Sequence, residues 1–550
     1  MIRKLLPFAA IALCAAAPAP APVHTDPARM SAIVKTLASD AFQGRAPGTP
    51  GETKTIAWLI ARFKALGLEP GGPQGQWTQP VPLVHTRIVA DGKVWLTSAD
   101  GAKTLLAMGP AINLTTVRSD PAIAIHAAPM VFVGYGVNAP EAKWDDFKGV
   151  DLHGKVAVFL VNDPDFVAQP GDDAAGRFGG RRMTYYGRWT YKFEEAARRG
   201  AVAAVIVHDT DAAGYPWSVV AASNGENYDI VRGPNDQSVP LQGWIAHDTA
   251  DQMFARAGLD LAKLRVAARS AAFKPVALPF TFSTDLKVSA DRIQSANVLA
   301  KIPGAKKPGE TVMFAAHWDA YGEGPADAQG RTIRPGANDD GLGVAGVLEL
   351  AREFKAGPKP DRTMVFALWT AEERGLLGSE YYATHPVYPL ARTAANFTMD
   401  ILQTAGPAKN VVLVGKGNST LDAALAKAAA AQGRTITPET FTERGLFYRA
   451  DHFSVVRRGV PSLLLMALGG APDLKAGGKA AGQAWLDAYM GCYHKTCDTW
   501  DAKWDLRGAA QDVDLLHAVG WQVSHAGVWP QWSAGSEFAA TRAKSAAQRQ

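Results

Sequence analysis

The 550-residue chain holds only three cysteines, Cys14, Cys492 and Cys497. So few cannot make a disulfide-built scaffold; the last two are close enough for one small loop in an oxidising compartment. Charge is equally sparing. Charged residues make up 20% of the chain and the formal net charge is +5, too weak a bias over this length to imply nucleic acid or an anionic membrane. After the leader no apolar stretch reaches 18 residues, so no membrane-spanning helix is expected. Internal repeats are missing too.

What is present is a large apolar fraction, 47%, enough for two or three domains with substantial cores. The start, "MIRKLLPFAAIALCAAAPAPAPV", has a short basic end, an apolar run of roughly a dozen residues and small residues after it, the layout of a secretory leader. We read residues 1–22 as a signal peptide, with cleavage near Ala17 to Ala21 in preference to lipidation of Cys14, because Leu13 is large. The mature protein is then expected to be exported, periplasmic or secreted.

Along the chain, "TPGETKTIAWLIARFKALGLEPGG" has a Thr/Glu start, helical apolar spacing and a glycine-containing stop, predicting a helix from Thr49 to Leu66. From about Ala122 to Phe282 the texture becomes short β-rich runs such as "GKVAVFLV" and "GAVAAVIVHD". Beyond Leu286, apolar strands such as "TVMFAAH", "RTMVFALWT" and "PSLLLM" alternate with helices such as "GLGVAGVLELAREFKA". The pattern predicts an α/β fold with a mainly parallel mixed sheet covered on both faces. We assign residues 23–121 and 286–534 to one discontinuous catalytic domain, 122–285 to an inserted β-rich domain, and 535–550 to a polar, frayed tail.

In such sheets, sites form beyond the carboxyl ends of the strands. There the chain places His317 with Asp319 two residues on, Asp339 and Asp340 in a glycine-bounded loop before a helix, the pair Glu372–Glu373, and Asp400; a loop offers His494. Asp340 alone reads as a helix N-cap. Each residue by itself has an ordinary structural reading, but their joint arrangement is hard to obtain by chance. Imidazole and carboxylate together suit zinc, and a carboxylate can bridge two ions. Without a cation the same residues would repel one another.

The segments "AAHWDAYGEG", "GANDDGLGVAGVLELAR", "FALWTAEERGLLGSE", "NFTMD" and "YHKTCDTW", in that order, resemble the co-catalytic di-zinc exopeptidase family that includes bacterial leucyl aminopeptidases and glutamate carboxypeptidase. The β-rich middle, with "GKVAVFLVND" and "KFEEAARRGAVAAVIVHD", resembles a protease-associated domain. The resemblance implies two Zn²⁺ per chain, one held by His317 and Asp400, the other by Glu373 and His494, with Asp339 bridging. It implies Glu372 as general base, Asp319 as the residue that orients the histidine ring, and Tyr493 as a donor to the oxyanion. It also implies a cis Asp339–Asp340 peptide.

The substrate implied is a peptide, with an aminopeptidase first and a dipeptidase or carboxypeptidase second. An inert receptor-like relative or a glutaminyl cyclase fits less well, because the full ligand set is present. Oligomeric state stays open, a homodimer included. Arg181, Arg182, Arg188 and Arg449 are candidates to meet a substrate carboxylate, although a solvated or structural role is favoured for the first three.

Overall fold

The computed structural model describes residues 24–89, 92–233, 236–525, 527 and 529–549. The leader assigned to residues 1–22, with Cys14, lies outside them. Among the described residues no helix is long and apolar enough to cross a membrane.

The catalytic sheet is mixed with a parallel centre. Strands Arg362–Trp369, Lys307–His317, Thr393–Met399 and Ser462–Leu465 run side by side in that order, all parallel. On one flank Val276–Ile302 and Thr78–Ile88 continue the sheet antiparallel; on the other lie Asn410–Val414 and Thr435–Pro438. Every residue of Arg362–Trp369 and of Thr393–Met399 is buried, as near-continuous apolar strands sandwiched between helices must be. Helices Gly341–Ala356 and Arg507–His525 cover one face through Leu348, Val513 and Leu516, which pack with Phe314 and Phe397. Helices Leu377–Thr384 and His452–Val456 cover the other through Tyr382 and Val455. The helix predicted from Thr49 to Leu66 runs Pro50–Ala65, with the Thr49 side chain accepting from the Glu52 N–H and Leu66 as its C-cap.

A second sheet contains three neighbouring parallel strands, Val156–Leu160, Ala203–Val207 and Leu241–Ile245, with Ala122–Phe132 parallel to the first of them. The division between the two units differs from the sequence reading in three places. Strands Lys93–Ser98, Lys103–Leu106 and Ile112–Thr115 precede residue 122 yet belong to the second sheet. The 285/286 boundary falls inside one 27-residue strand, Val276–Ile302, whose first half pairs in the second sheet and whose last half pairs in the catalytic sheet. Glu226–Ile230, from the middle of the insert, adds an edge strand to the catalytic sheet. The tail is docked: Phe538 is buried, and the buried Arg542 donates to the carbonyls of Leu390 and Thr393. A polar composition hides this, because the anchor is a guanidinium finding backbone carbonyls.

One buried imidazole in this core has a measurable consequence. His517, on Arg507–His525, packs against Phe354 with ring centroids 4.5 Å apart, and burial pushes its pKa down to about 4. The unfolded chain therefore binds the proton first as pH falls below about 6.5, so this site destabilises the fold by about 1.4 kcal/mol per pH unit from there down to about 4. Between pH 7 and pH 5 wild type is expected to lose about 2 kcal/mol relative to His517→Gln, read from urea midpoints of both proteins at the two pH values.

Candidate metal centre

The carboxyl ends of the parallel strands open onto one rim, and the sequence-predicted residues meet there. His317 is the last residue of Lys307–His317, Glu372 and Glu373 follow Arg362–Trp369, and Asp400 follows Thr393–Met399. Asp339 stands just before helix Gly341–Ala356, and its peptide bond to Asp340 is cis. His494 comes from the loop closed by the Cys492–Cys497 disulfide. Several of these residues sit at or beside left-handed backbone positions that non-glycine residues avoid: Ala371 (φ 53°) before the glutamate pair, Ile401 (φ 56°) after Asp400, and His494 itself (φ 60°). Such conformations persist where surrounding structure enforces them.

Asp339 is the geometric centre. Its Oδ1 lies 3.1 Å from His317 Nε2 and its Oδ2 lies 3.2 Å from His494 Nε2, so one carboxylate faces two imidazoles with one oxygen each. Glu373 Oε2 is 3.2 Å from His494 Nε2, and Asp400 Oδ1 is 4.0 Å from His317 Nε2. Asp339, Glu373 and His494 form one group whose donor atoms all lie within 4.8 Å of one another; His317, Asp340 and Asp400 form another.

Within the second group the donors differ. Asp340 is saturated, accepting from the backbone N–H groups of Gly343 (2.9 Å), His317 (3.3 Å) and Ile401 (3.4 Å). It is the N-cap read from the sequence, and it also ties three site loops together. His317 Nε2 and Asp400 Oδ1, by contrast, are buried and have no hydrogen-bond partner; the short approach of Asp339 to His317 does not have hydrogen-bond geometry. Enclosed, unpartnered lone-pair atoms converging on one point are what a cation would satisfy, and nitrogen and carboxylate oxygen donors fit zinc.

The orientation of both rings is fixed from behind. His317 Nδ1 lies 3.1 Å from the Asp319 carbonyl, and His494 Nδ1 lies 3.0 Å from the Tyr321 hydroxyl, leaving each Nε2 to face the centre. The Asp319 carboxylate does something else as well: it accepts from the backbone N–H groups of Glu372 (3.0 Å) and Glu373 (3.4 Å), holding the turn that aims the two acids. Tyr493 lies tilted against His494 with ring centroids 3.6 Å apart and lines the cleft in front of the site.

Electrostatics show what the acids need. Burial, then the neighbouring carboxylates, pushes Asp400 up to about 8 and raises Glu373 well above its ordinary value. Glu372 is raised likewise, by burial and by Asp400 and Asp451, against the pull of His317. Burial also disfavours the charge on Asp339, yet the two imidazoles outweigh it and hold this carboxyl below the usual range. Several acids can be ionised here together only with positive charge among them.

Three supports escaped the sequence reading. Arg45, fully buried, donates to the carbonyls of Leu37, Trp318, Pro335 and Gly336. Asp498, also buried, accepts from the N–H groups of Asn338 and Asp339, each at 3.0 Å. Tyr321 is the third. Asp498 and Tyr321 lie inside the quoted segments "YHKTCDTW" and "AAHWDAYGEG", so a polar residue next to a ligand was the available signal.

The site opens into a cleft of about 1030 Å³ bounded by both units. Of the candidate arginines, Arg181 is exposed and pairs with Asp211 at 3.2 Å, and Arg182 donates to Asn418 at 2.9 Å. Arg188 and Arg449 line the cleft.

Residues 297–517, which carry all the candidate ligands, match peptidase family M28. The match covers about two fifths of the chain. A match to that family implies zinc as the metal. Leupeptin-inactivating enzyme 1 of Streptomyces exfoliatus is 29% identical over 209 residues, 37% of this chain and 43% of that protein. Aminopeptidase YwaD of Bacillus subtilis is 36% identical over 110 residues, 19% of this chain and 22% of its own. The chain thus spans less than half the length of these curated relatives. An aminopeptidase from Aneurinibacillus sp. strain AM-1 aligns over 92% of this chain and 96% of its own, at 22% identity and a TM-score of 0.49.

Proposed function

We propose that the protein is an exported exopeptidase that holds two zinc ions and releases N-terminal residues from peptides. The observation that carries this reading is Asp339, one carboxylate facing the Nε2 atoms of both His317 and His494 at 3.1 and 3.2 Å, flanked by Asp400 on one side and Glu373 on the other. His317 and Asp400 would hold one ion, Glu373 and His494 the other, with Asp339 shared. Zinc, when bound, supplies Lewis acidity that brings the pKa of water from about 15.7 down to about 7.

The remaining work belongs to the chain. Glu372 takes the proton from the attacking water and returns it to the leaving amine. Asp319 keeps Glu372 and Glu373 aimed apart, so adjacent residues perform different jobs. Tyr493 donates to the developing oxyanion. Residues 23–92 and the segment from the second half of Val276–Ile302 onward serve as the catalytic unit, and the second sheet, resembling a protease-associated domain, closes the cleft.

Three measurements test the reading. Elemental analysis of the purified chain is expected to find about two zinc per protein, and near-zero metal with full activity would sink it. Peptides with free N-termini should be cleaved while their acetylated counterparts are not; the reverse selectivity would rule out an aminopeptidase. Export predicts a mature N-terminus near residues 18 to 24, and an exported form retaining Met1 would contradict it.

A further inference from the structure

The two imidazoles of the metal centre are not equally well held. His317 ends a buried strand, its side chain is 1% exposed, and the backbone carbonyl of Asp319 lies 3.1 Å from its Nδ1. His494 stands in a loop, its side chain is 31% exposed, and a side-chain hydroxyl, that of Tyr321, lies 3.0 Å from its Nδ1. A carbonyl moves only with its chain, whereas a tyrosine ring turns about its own side-chain torsions. The orientation of His494 therefore depends on what holds Tyr321.

Arg374 is the residue that meets that ring. Its guanidinium carbon lies 5.3 Å from the centre of the Tyr321 ring and 4.8 Å from that of Tyr228, over each ring. Glu372 and Glu373 directly precede it in the chain, yet among the described residues no acid lies within ion-pair distance of its side chain, so the two rings are its partners. Tyr228 comes from Glu226–Ile230, the edge strand that the middle of the insert lends to the catalytic sheet. Its ring is stacked on His85 of the neighbouring strand Thr78–Ile88, with centroids 4.2 Å apart and an interplanar angle of 5°. The contacts thus run unbroken from that edge strand through Arg374 and Tyr321 to His494, whose ring lies 4.5 Å from that of Tyr321. Tyr228, Arg374, Tyr321 and His494 all line the cleft.

We infer that Arg374 is a positioning residue for His494, and that the insert, through Tyr228, completes the support of the second metal position. The inference rests on the two-zinc reading above and deepens it: strand Glu226–Ile230 serves the metal site as well as walling the cleft. A guanidinium suits the place because it is planar, stacks on aromatic faces and stays charged. Set against two tyrosines, it keeps the Tyr321 hydroxyl where it meets Nδ1, and a ring held through that nitrogen presents Nε2 at a fixed angle. His317 has its own carbonyl, so the effect is confined to the second ion.

The test is a metal titration of the full chain, stripped with chelator and refilled with Zn²⁺ against a chromogenic competitor, so that binding is read without activity. Wild type is expected to bind about two ions, as in the reading above. Tyr321→Phe should weaken one of them by about 10- to 100-fold; Arg374→Gln and Tyr228→Leu should each weaken the same one by about 3- to 30-fold. By charge alone, removing a cation beside a dication would tighten binding, so the sign of the Arg374→Gln effect separates positioning from electrostatics. Arg374→Lys, which keeps a cation over the rings, and Tyr228→Phe, which keeps the ring, should restore most of the affinity. In a Glu373→Gln background, which lacks the second ion, Arg374→Gln should leave the affinity of the remaining ion unchanged, whereas general loosening of the fold would lower it. Wild-type affinity in both Arg374→Gln and Tyr228→Leu, equal weakening of both ions, or weakening that neither conservative variant restores overturns the inference and leaves the zinc reading standing. A wild-type chain that binds no zinc overturns both.

Discussion

Glu372→Gln should lower kcat by about 10²- to 10⁴-fold while the protein keeps its full complement of zinc, whereas Glu373→Gln should lose metal first. The two residues are neighbours with the same side chain, so the contrast is a sharp one. Glu373 points its Oε2 at His494 Nε2 from 3.2 Å; turning that oxygen into an amide removes a charged ligand and leaves the cation under-coordinated. Glu372 belongs to neither three-residue donor group; its backbone N–H is held by Asp319 and its side chain lines the cleft. Glutamine there preserves size and polarity and removes only the ability to take a proton. Elemental analysis alongside steady-state kinetics separates the two outcomes. If both variants bind two zinc and turn over at wild-type rates, the division of labour is wrong; if both lose metal equally, Glu372 is a ligand and the base lies elsewhere.

Much of the site was legible because its residues lie within short segments that end strands, where local pattern and local chemistry coincide. "TVMFAAH" reads as a buried strand that stops on an imidazole, and the parallel sheet then dictates that such ends share a rim. The helix Pro50–Ala65 was legible for a similar reason: Thr49 and Glu52 announce its start within four residues. What escaped is long-range. Arg45 is separated by 273 residues from the carbonyl of Trp318 that it meets, and nothing about an arginine in "FQGRAPG" says that it will be buried. Val276–Ile302 crosses both sheets, so the change of unit occurs inside one strand, and no glycine or proline marks it. The early strands of the second sheet share their alternating texture with Thr78–Ile88, which belongs to the first. Partner choice between similar strands is decided by packing, and sequence alternation does not record it.

Arg45→Met should destabilise the protein by about 3 to 5 kcal/mol and weaken zinc binding in the same step. A single guanidinium joins Leu37 at the end of helix Pro27–Leu37, Trp318 beside His317, and Pro335 and Gly336 in the loop leading to Asp339. Methionine fills the volume but removes the donor from four carbonyls in a dry interior, of which Gly336 still accepts from the Gly341 N–H. It also removes a buried positive charge that Asp319, Asp498, Asp340 and Asp339 all attract, so those carboxylates lose a counter-charge just where the ligands must be ionised. Lysine should not rescue the site, because one ammonium lacks the planar fork that reaches carbonyls on three segments at once. Because a bound ion stabilises the fold by mass action, the unfolding midpoints must be compared in excess chelator, where a stability loss reports the clamp alone. Zinc titrations of the folded variant then report the second effect. A variant that unfolds at the wild-type midpoint without metal, and binds zinc as tightly, would show that the ligand loops hold their positions without the arginine.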